Sequence, residues 1–345
     1  MPSLIGRALT LYRRFTGGNA PYVRLTLGVL ASVGLGWLTS RGLNWSEVSH
    51  VLGGLSPYGI ALALLVFLVG NVARAYGWQL LFLGERITVA RLFLIQNMGL
   101  GLNNLLPVRI ASEAIQFTLL TLRDGVSRGT ALATLGMIRV MDIWATTLLL
   151  ALGIPFVSGA GQLARYAVGG IIFSLLLLVL VHFLGWSSRG LPLMRRLPLL
   201  GDLASSVAEL EGRKGRLAAS LVVSMAHWIV LGLSGWVVAW SMDISLSPPQ
   251  ATLVVLAAIF FATTVPSLPG AIGTFEAAMV YVMGFFGVDK SVAFPYSLIM
   301  HALLFLPPTL LAAIFLPREG IGSLGELRSR AQSWKEDASP KQTAS

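Results

Sequence analysis

The chain has no cysteine among its 345 residues, only four histidines, and only 12% of its residues are Asp, Glu, Lys or Arg. Without cysteine there is no disulfide framework, no thiolate metal site and no cysteine nucleophile. The histidines, His50, His182, His227 and His301, are scattered with no His-x-x-x-His spacing, so no metal site is expected. Gly99 and Gly101 begin a glycine pattern but complete neither a Walker loop nor a dinucleotide fingerprint, so no cofactor is expected either. The charged fraction is about half that of an ordinary soluble domain and could not cover a water-facing surface of this size. A hydrophobic content of 55% excludes disorder.

What is present in quantity is apolar sequence, with a mean hydropathy of +0.76. The class this leaves is an all-α polytopic membrane protein. Its net charge of +10 calls for no nucleic-acid partner, because cytoplasmic membrane loops collect Lys and Arg for orientation. Crossing a bilayer core takes about 20 mostly apolar residues. Six stretches qualify: 22–39, 59–83, 131–156, 166–186, 217–242 and 292–316. Trp37, Tyr58, Trp186 and Trp240 lie near their ends, as an interfacial aromatic belt requires. Arg7, Arg13 and Arg14 precede the first stretch, which reads as a signal anchor rather than a cleaved leader.

Two further apolar stretches, 92–122 and 251–286, are interrupted. Gly99, Gly101, Asn103, Asn104 and Pro107 break the first; Pro266, Pro269, Gly270 and Gly273 break the second. Each is expected to form a re-entrant or broken helical hairpin. With six crossings, both hairpins returning to the side they left, and a cytoplasmic N-terminus, nineteen of the 25 Lys and Arg lie on the cytoplasmic side. Three lie outside and three fall within apolar runs, the asymmetry that the positive-inside rule describes. Residues 1–21 then form a cytoplasmic segment, 22–316 one membrane domain and 317–345 a polar cytoplasmic tail, in the cytoplasmic membrane.

A shift of 162 residues lays Leu106 and Pro107 on Leu268 and Pro269, Gly125 and Val126 on Gly287 and Val288, and Pro155 on Pro317. It superposes helix–hairpin–helix units at about 59–156 and 217–316. Chance matches in an apolar alphabet are the competing reading, but the overlay of whole units favours an inverted repeat. If the repeat is real, the single span 166–186 between the units inverts the second, a transporter plan whose site lies near the midplane.

Six charges fall in apolar surroundings: Arg74, Arg109, Arg139, Glu113, Asp142 and Glu276. Each costs about 2.5–3.5 kcal/mol at a helix centre, so such residues face a partner or a polar cavity. Arg74 either snorkels to an interface or binds phosphate. Asn103, Asn104, Pro107, Arg109 and Glu113 mark the first hairpin tip, where irregular backbone is tolerated only beside protein or a watery cavity. Arg109 and Glu113 can pair at four-residue spacing, or Arg109 can hold an oxyanion with its planar fork, oriented by Glu113. Arg139 and Asp142, three apart, can pair on one helix face. Pro269, Gly270 and Gly273 turn the second tip, and Glu276 follows with no basic residue within a turn in sequence. It is expected either to carry a proton or meet a cationic headgroup, or to sit protonated on a backbone carbonyl.

Around these tips the chain resembles the membrane region of the lysylphosphatidylglycerol synthase/flippase family, which includes stand-alone members and relatives implicated in polyprenyl-linked sugar pathways. The resemblance runs from about Arg74 to Leu316. It rests on the segment from Asn104 through Pro107 to Arg109 with Glu113, on Arg139 with Asp142, and most specifically on Pro269, Gly270, Gly273, Phe275 and Glu276. Two positions depart from the family pattern: Glu113 stands one residue late, and Ile138 stands where an acid often precedes the arginine. The resemblance implies a lipid flippase, with Arg74, Asn103, Asn104, Arg109, Glu113, Arg139, Asp142 and Glu276 binding a phosphate-bearing lipid. About 29 polar residues follow Leu316, so no aminoacyl-transfer domain is expected. The competing expectations are a membrane-embedded transferase with Glu113 or Glu276 as general base, and a small-solute transporter. Self-association is left open.

Overall fold

Twelve helices and their connecting turns make up the described part of the computed structural model, which covers residues 20–105, 111–156, 164–190, 198–264 and 267–320, with no strand among them. In chain order they are α1 (Ala20–Ser40), α2 (Trp45–Gly53), α3 (Pro57–Gln79), α4 (Val89–Leu105) and α5 (Ala111–Thr118). There follow α6 (Arg128–Gly153), α7 (Ala164–Gly190), α8 (Pro198–Gly212), α9 (Lys214–Ser241), α10 (Pro248–Thr264), α11 (Thr274–Gly284) and α12 (Lys290–Phe315). Polar caps set several starts. Ser56 accepts from the Gly59 N–H, Ser127 from Thr130 and Asp289 from Ser291, each satisfying a donor that the first helical turn leaves unpaired.

Five helices are long and apolar enough to cross a bilayer: Pro57–Gln79, Arg128–Gly153, Val168–Trp186, Lys214–Ser241 and Lys290–Phe315. They correspond to five of the six expected spans; the sixth, 22–39, coincides with α1, whose apolar part is Thr26–Ser40. Each interrupted stretch is a pair of short helices. In the first, α4 is followed by α5, which a π turn over Leu119–Arg123 extends. In the second, α10 and α11 flank a tight 3-10 turn at Pro269–Ala271. At 1.5 Å per residue α11 is roughly 16 Å long, about half the hydrocarbon thickness. Pro107 and Arg109 lie outside the described residues. Sequence patterning passed over α2 and α8, because nine and 15 residues of mixed polarity do not read as spans.

Helix spacing repeats. Shifted by 162, Arg128–Gly153 coincides with Lys290–Phe315 at both ends, and the end of α3 falls on the end of α9. The connections correspond as well: Gly125 and Gly287 both take positive φ, 67° and 76°, two residues before the caps Ser127 and Asp289.

Glycine lets the two units approach. Gly70 and Gly77 of α3 face Val230 and Val223 of α9, and Ser220 Oγ donates to the Gly77 carbonyl at 2.9 Å. Small residues at such seams substitute close packing for the hydrophobic drive that lipid does not supply. Gly101 of α4 lies against the Pro308 backbone and Ala312 of α12, with no room for a β-carbon. Gly101→Val is therefore expected to cost about 1–3 kcal/mol by overpacking, read as a lowered Tm of the detergent-solubilised protein. Apolar side chains fill two cores. One gathers Trp78, Leu92, Ile95 and Met137, the other Phe67, Phe275, Met279 and Met300. Leu176 and Val179 on α7 are 63% and 66% exposed, as a face turned to lipid would be.

Candidate functional site: a chain of membrane-embedded charges

Three helices bring the first group of charges together. Arg74 on α3 donates from Nη2 to Asp142 Oδ2 on α6 at 2.6 Å, and from Nε to the same oxygen at 3.3 Å. Arg139, one turn before Asp142, makes only a looser ion pair with that oxygen, its Nη1 3.9 Å away. It turns instead to Glu113 on α5, with Nη2 2.7 Å from Oε1. The order Glu113–Arg139–Asp142–Arg74 alternates in sign and sums to zero. One end is buried and the other open: the side chains of Arg74 and Asp142 are 8% and 9% exposed, those of Arg139 and Glu113 36% and 40%.

The buried end keeps hydrogen-bonding capacity. Gln96 of α4 donates to the Asn71 carbonyl and Oδ1 at 3.3 and 3.2 Å. Asp142 Oδ1, Asn71 Nδ2 and Gln96 Oε1 have no protein partner among the described residues. Buried polar atoms left so cost about 1–3 kcal/mol each, which marks the place as built for polar contact. His227 of α9 closes this end, its Nδ1 2.8 Å from the Gly70 carbonyl.

A second group sits at the other break. Glu276 Oε2 accepts from the Gly273 N–H at 2.7 Å, and Oε1 lies 2.5 Å from His301 Nδ1 on α12. Gly273 has φ 83° and packs on the Ser32 carbonyl, so both its dihedral and its crowding exclude a side chain. Ser32 of α1 also accepts from the Leu268 N–H at 2.9 Å. Asn104 at the end of α4 donates to the Phe305 carbonyl and Thr309 Oγ1 at 3.1 and 3.0 Å, and its own carbonyl faces Gly270. Asn103 Oδ1 accepts from the Ser112 N–H at 3.1 Å, bracing the start of α5. The two breaks thus touch through Asn104, Gly270 and α12.

The expected site residues therefore divide. Arg74, Asp142, Arg139 and Glu113 form one chain; Glu276 stands in a second group; Asn103 and Asn104 serve backbone and hydroxyl groups. The Arg139–Asp142 pairing is present as a looser ion pair at 3.9 Å beside the shorter long-range pairs, and Arg109 lies outside the described residues. Sequence reasoning set His301 and His227 aside and missed Gln96 and Ser32. The signal for His301 was nonetheless present: the 162-residue shift lays Arg139 on His301. Glu113 and Glu276 are one residue out of that register, since the shift lays Glu113 on Phe275, but each is the third residue of its short helix and meets a base on the long helix that follows.

Arg91, Asp124 and Glu319 form a third polar group, where α4 begins, the π turn ends and α12 ends. Arg91 Nε lies 2.9 Å from Asp124 Oδ1, and its Nη1 and Nη2 engage both oxygens of Glu319. The hydrogen bond that Arg91 donates to the Glu319 carboxylate raises its pKa above the ordinary range, against the effect of burial. Shifted by 162, Arg91 and Asp124 become Leu253 and Phe286, which pack with Leu150 and Ile154. One end is thus clamped by ions and the other by apolar contact. α4 lies along α12 for much of its length, whereas α10 meets α6 over a short contact near Leu253. A cavity of about 110 Å³ lined by Leu81, Glu85, Thr130, Ser206 and Glu209 touches none of the intramembrane charges. No group of His, Asp and Glu is placed to hold a metal among the described residues.

The family model described as the lysylphosphatidylglycerol synthase TM region matches residues 25–312. Among curated proteins, a UPF0104 membrane protein of Methanothermobacter thermautotrophicus is 24% identical over 278 residues, covering 74% of this chain and 82% of its own length. A second UPF0104 membrane protein, from Methanocaldococcus jannaschii, is 20% identical over 318 residues, covering 84% of this chain and 90% of its own.

Proposed function

Because the chain belongs to the lysylphosphatidylglycerol synthase transmembrane-region family, multi-pass and tied to membrane lipids, we propose that it moves a phosphate-bearing lipid between the leaflets of the cytoplasmic membrane. The observation that carries this reading is the half-exposed Glu113–Arg139 pair at the open end of a charge chain otherwise buried among apolar helices. A phosphate arriving from the bilayer would take over one edge of the Arg139 fork, which can donate two parallel hydrogen bonds to an oxyanion. Glu113, released, would meet an amine or hydroxyl of the headgroup. Asp142 and Arg74 would hold the far end, so each of the chain's own charges keeps a partner while the headgroup exchanges with Glu113.

The acyl or prenyl tails would remain in lipid while the headgroup passes. The repeated helix spacing supports reading the units as inverted copies, with the ionic clamp and the apolar Leu253–Phe286 contact as alternate closures. The basic segments, and both termini, are assigned to the cytoplasmic face on the same reading.

Proteoliposomes holding labelled phosphatidylglycerol, lysylphosphatidylglycerol or polyprenyl phosphate test this. The purified protein is expected to speed exchange of at least one between leaflets, and Arg139→Gln to slow that exchange several-fold. A chemically altered lipid would identify a transferase instead, and no acceleration with any of the three would overturn the reading.

A further inference from the structure

We propose that Glu276 and His301 bind the proton that couples lipid movement to a pH gradient, an inference that rests on the lipid-transport reading and adds its driving ion. Arg139 and His301 correspond under the 162-residue shift, and each meets an acid at the third position of the preceding short helix, Glu113 and Glu276, which are one residue out of that register. In the first unit the base is Arg139, a guanidinium that does not deprotonate in proteins. In the second unit the same place is taken by His301, the side chain whose charge changes near neutral pH. One contact is a permanent ion pair and the other can gain or lose a charge in the same geometry.

The surroundings make that charge count. The side chains of Glu276 and His301 are 9% and 14% exposed, and the imidazole lies between Phe275 and Phe305, with ring centroids at 5.1 and 4.3 Å. Other charged or titratable groups on the packed helices are engaged elsewhere. Lys290 on α12 holds the Leu38 and Arg41 carbonyls. Tyr296, a turn before His301, bonds the Gly235 carbonyl. On α4, α3 and α9 respectively, Arg91 is in the clamp, Arg74 is on Asp142 and His227 is on Gly70. On α2, Glu47 is half-buried at the helix start and His50 is exposed.

The proton balance is simple. With His301 neutral, its Nδ1–H donates to the Glu276 carboxylate and the pair carries one negative charge. A proton arriving at Nε2 gives imidazolium and carboxylate, a neutral pair with stronger attraction between α11 and α12. Loss of that proton leaves a net charge among apolar helices and loosens the hold on the start of α11. That start is the movable part. Glu276 caps Gly273, and the turn before it contains Gly270 and Ala271 at φ 71° and 59°, the second an uncommon conformation for a residue with a side chain. Protonation at His301 is therefore transmitted to the break, which also touches Asn104 and Ser32.

Two readouts test this, one independent of lipid. The chain has no native cysteine, so an environment-sensitive fluorophore can be attached at Ile272→Cys, a 57% exposed position beside the turn. Its emission is expected to change with pH as the pair gains or loses its proton. His301→Arg, which copies the first unit, should abolish the change; Glu276→Gln, which keeps the fold if the larger arginine does not fit, should abolish it too. In proteoliposomes, a gradient of one pH unit is expected to shift the leaflet ratio of the transported lipid up to about tenfold for one proton per lipid, and in His301→Arg the final leaflet ratio is expected not to follow the gradient, whatever its exchange rate. A pH-independent probe, or a response unchanged in both variants, overturns the proton site. Lipid exchange that ignores the gradient overturns the coupling and leaves the flippase reading standing. A titrating probe without lipid exchange overturns the coupling together with the flippase reading.

Discussion

Arg74→Met is expected to destabilise the protein by about 3–5 kcal/mol, and Asp142→Leu in the same chain to restore most of that loss. The single change leaves Asp142 in a site where its side chain is 9% exposed and its main counter-charge is gone. Arg139 Nη1, 3.9 Å from the same oxygen, can swing toward it and hold the cost near the lower end of that range. The double change removes both desolvation penalties and fills the space with apolar atoms. Thermal unfolding in detergent of both single variants and the double variant closes the cycle. Equal instability in the double variant would show that the residues act through packing rather than through their charges. A stable double variant that no longer moves lipid would separate function from folding, the distinction that matters for charges kept inside a membrane at such expense.

Arg91→Ala is expected to raise the population of a state with α4 and α12 apart by about tenfold, equivalent to about 1.4 kcal/mol. Isolated surface ion pairs contribute less, but here one guanidinium serves two carboxylates in fork geometry, and its loss leaves Asp124 and Glu319 without their shared cation. Arg123 replaces little of it, since its Nε stays 3.9 Å from Glu319. Ala312→Cys reads the change. That position is fully buried against Gly101, so a maleimide reaches it only when the two helices separate. Labelling should speed up with Arg91→Ala, and in the parent it should speed up with salt, which screens the clamp. Unchanged labelling would show that the clamp does not hold the two helices together. Phe286→Ala, at the equivalent apolar contact, should not expose Ala312→Cys.

Helix spacing was legible in the sequence because it depends on local quantities. Apolar run length marked five helices now seen at span length, and Pro269, Gly270 and Gly273 marked the second break to within a residue or two. The nine-residue α2 was not legible. What orders it is contact with the start of α12, the Asn44 N–H on Ser291 Oγ at 3.1 Å and Trp45 edge-on to Phe294. Arg91, Asp124 and Glu319 looked like ordinary loop charges for the same reason: Arg91 and Glu319 are 228 residues apart, and only packing of α4 on α12 joins them.

The opening absences retain their meaning. Scarce charge and abundant apolar sequence determined by themselves that this is a helical membrane protein, since no other class can hide so much hydrocarbon. They also determined which charges had to be explained, because an ion in an apolar run is costly wherever the chain goes. Which ion meets which was decided by tertiary structure alone. Arg139 has Asp142 within a turn yet makes its short bond to Glu113, while the short bond to Asp142 comes from Arg74, 68 residues away. Glu276, without a basic neighbour in sequence, meets His301 across two helices. Sequence fixes the cost of burying a charge, but its partner depends on distances of a few ångströms that exist only once the helices have packed.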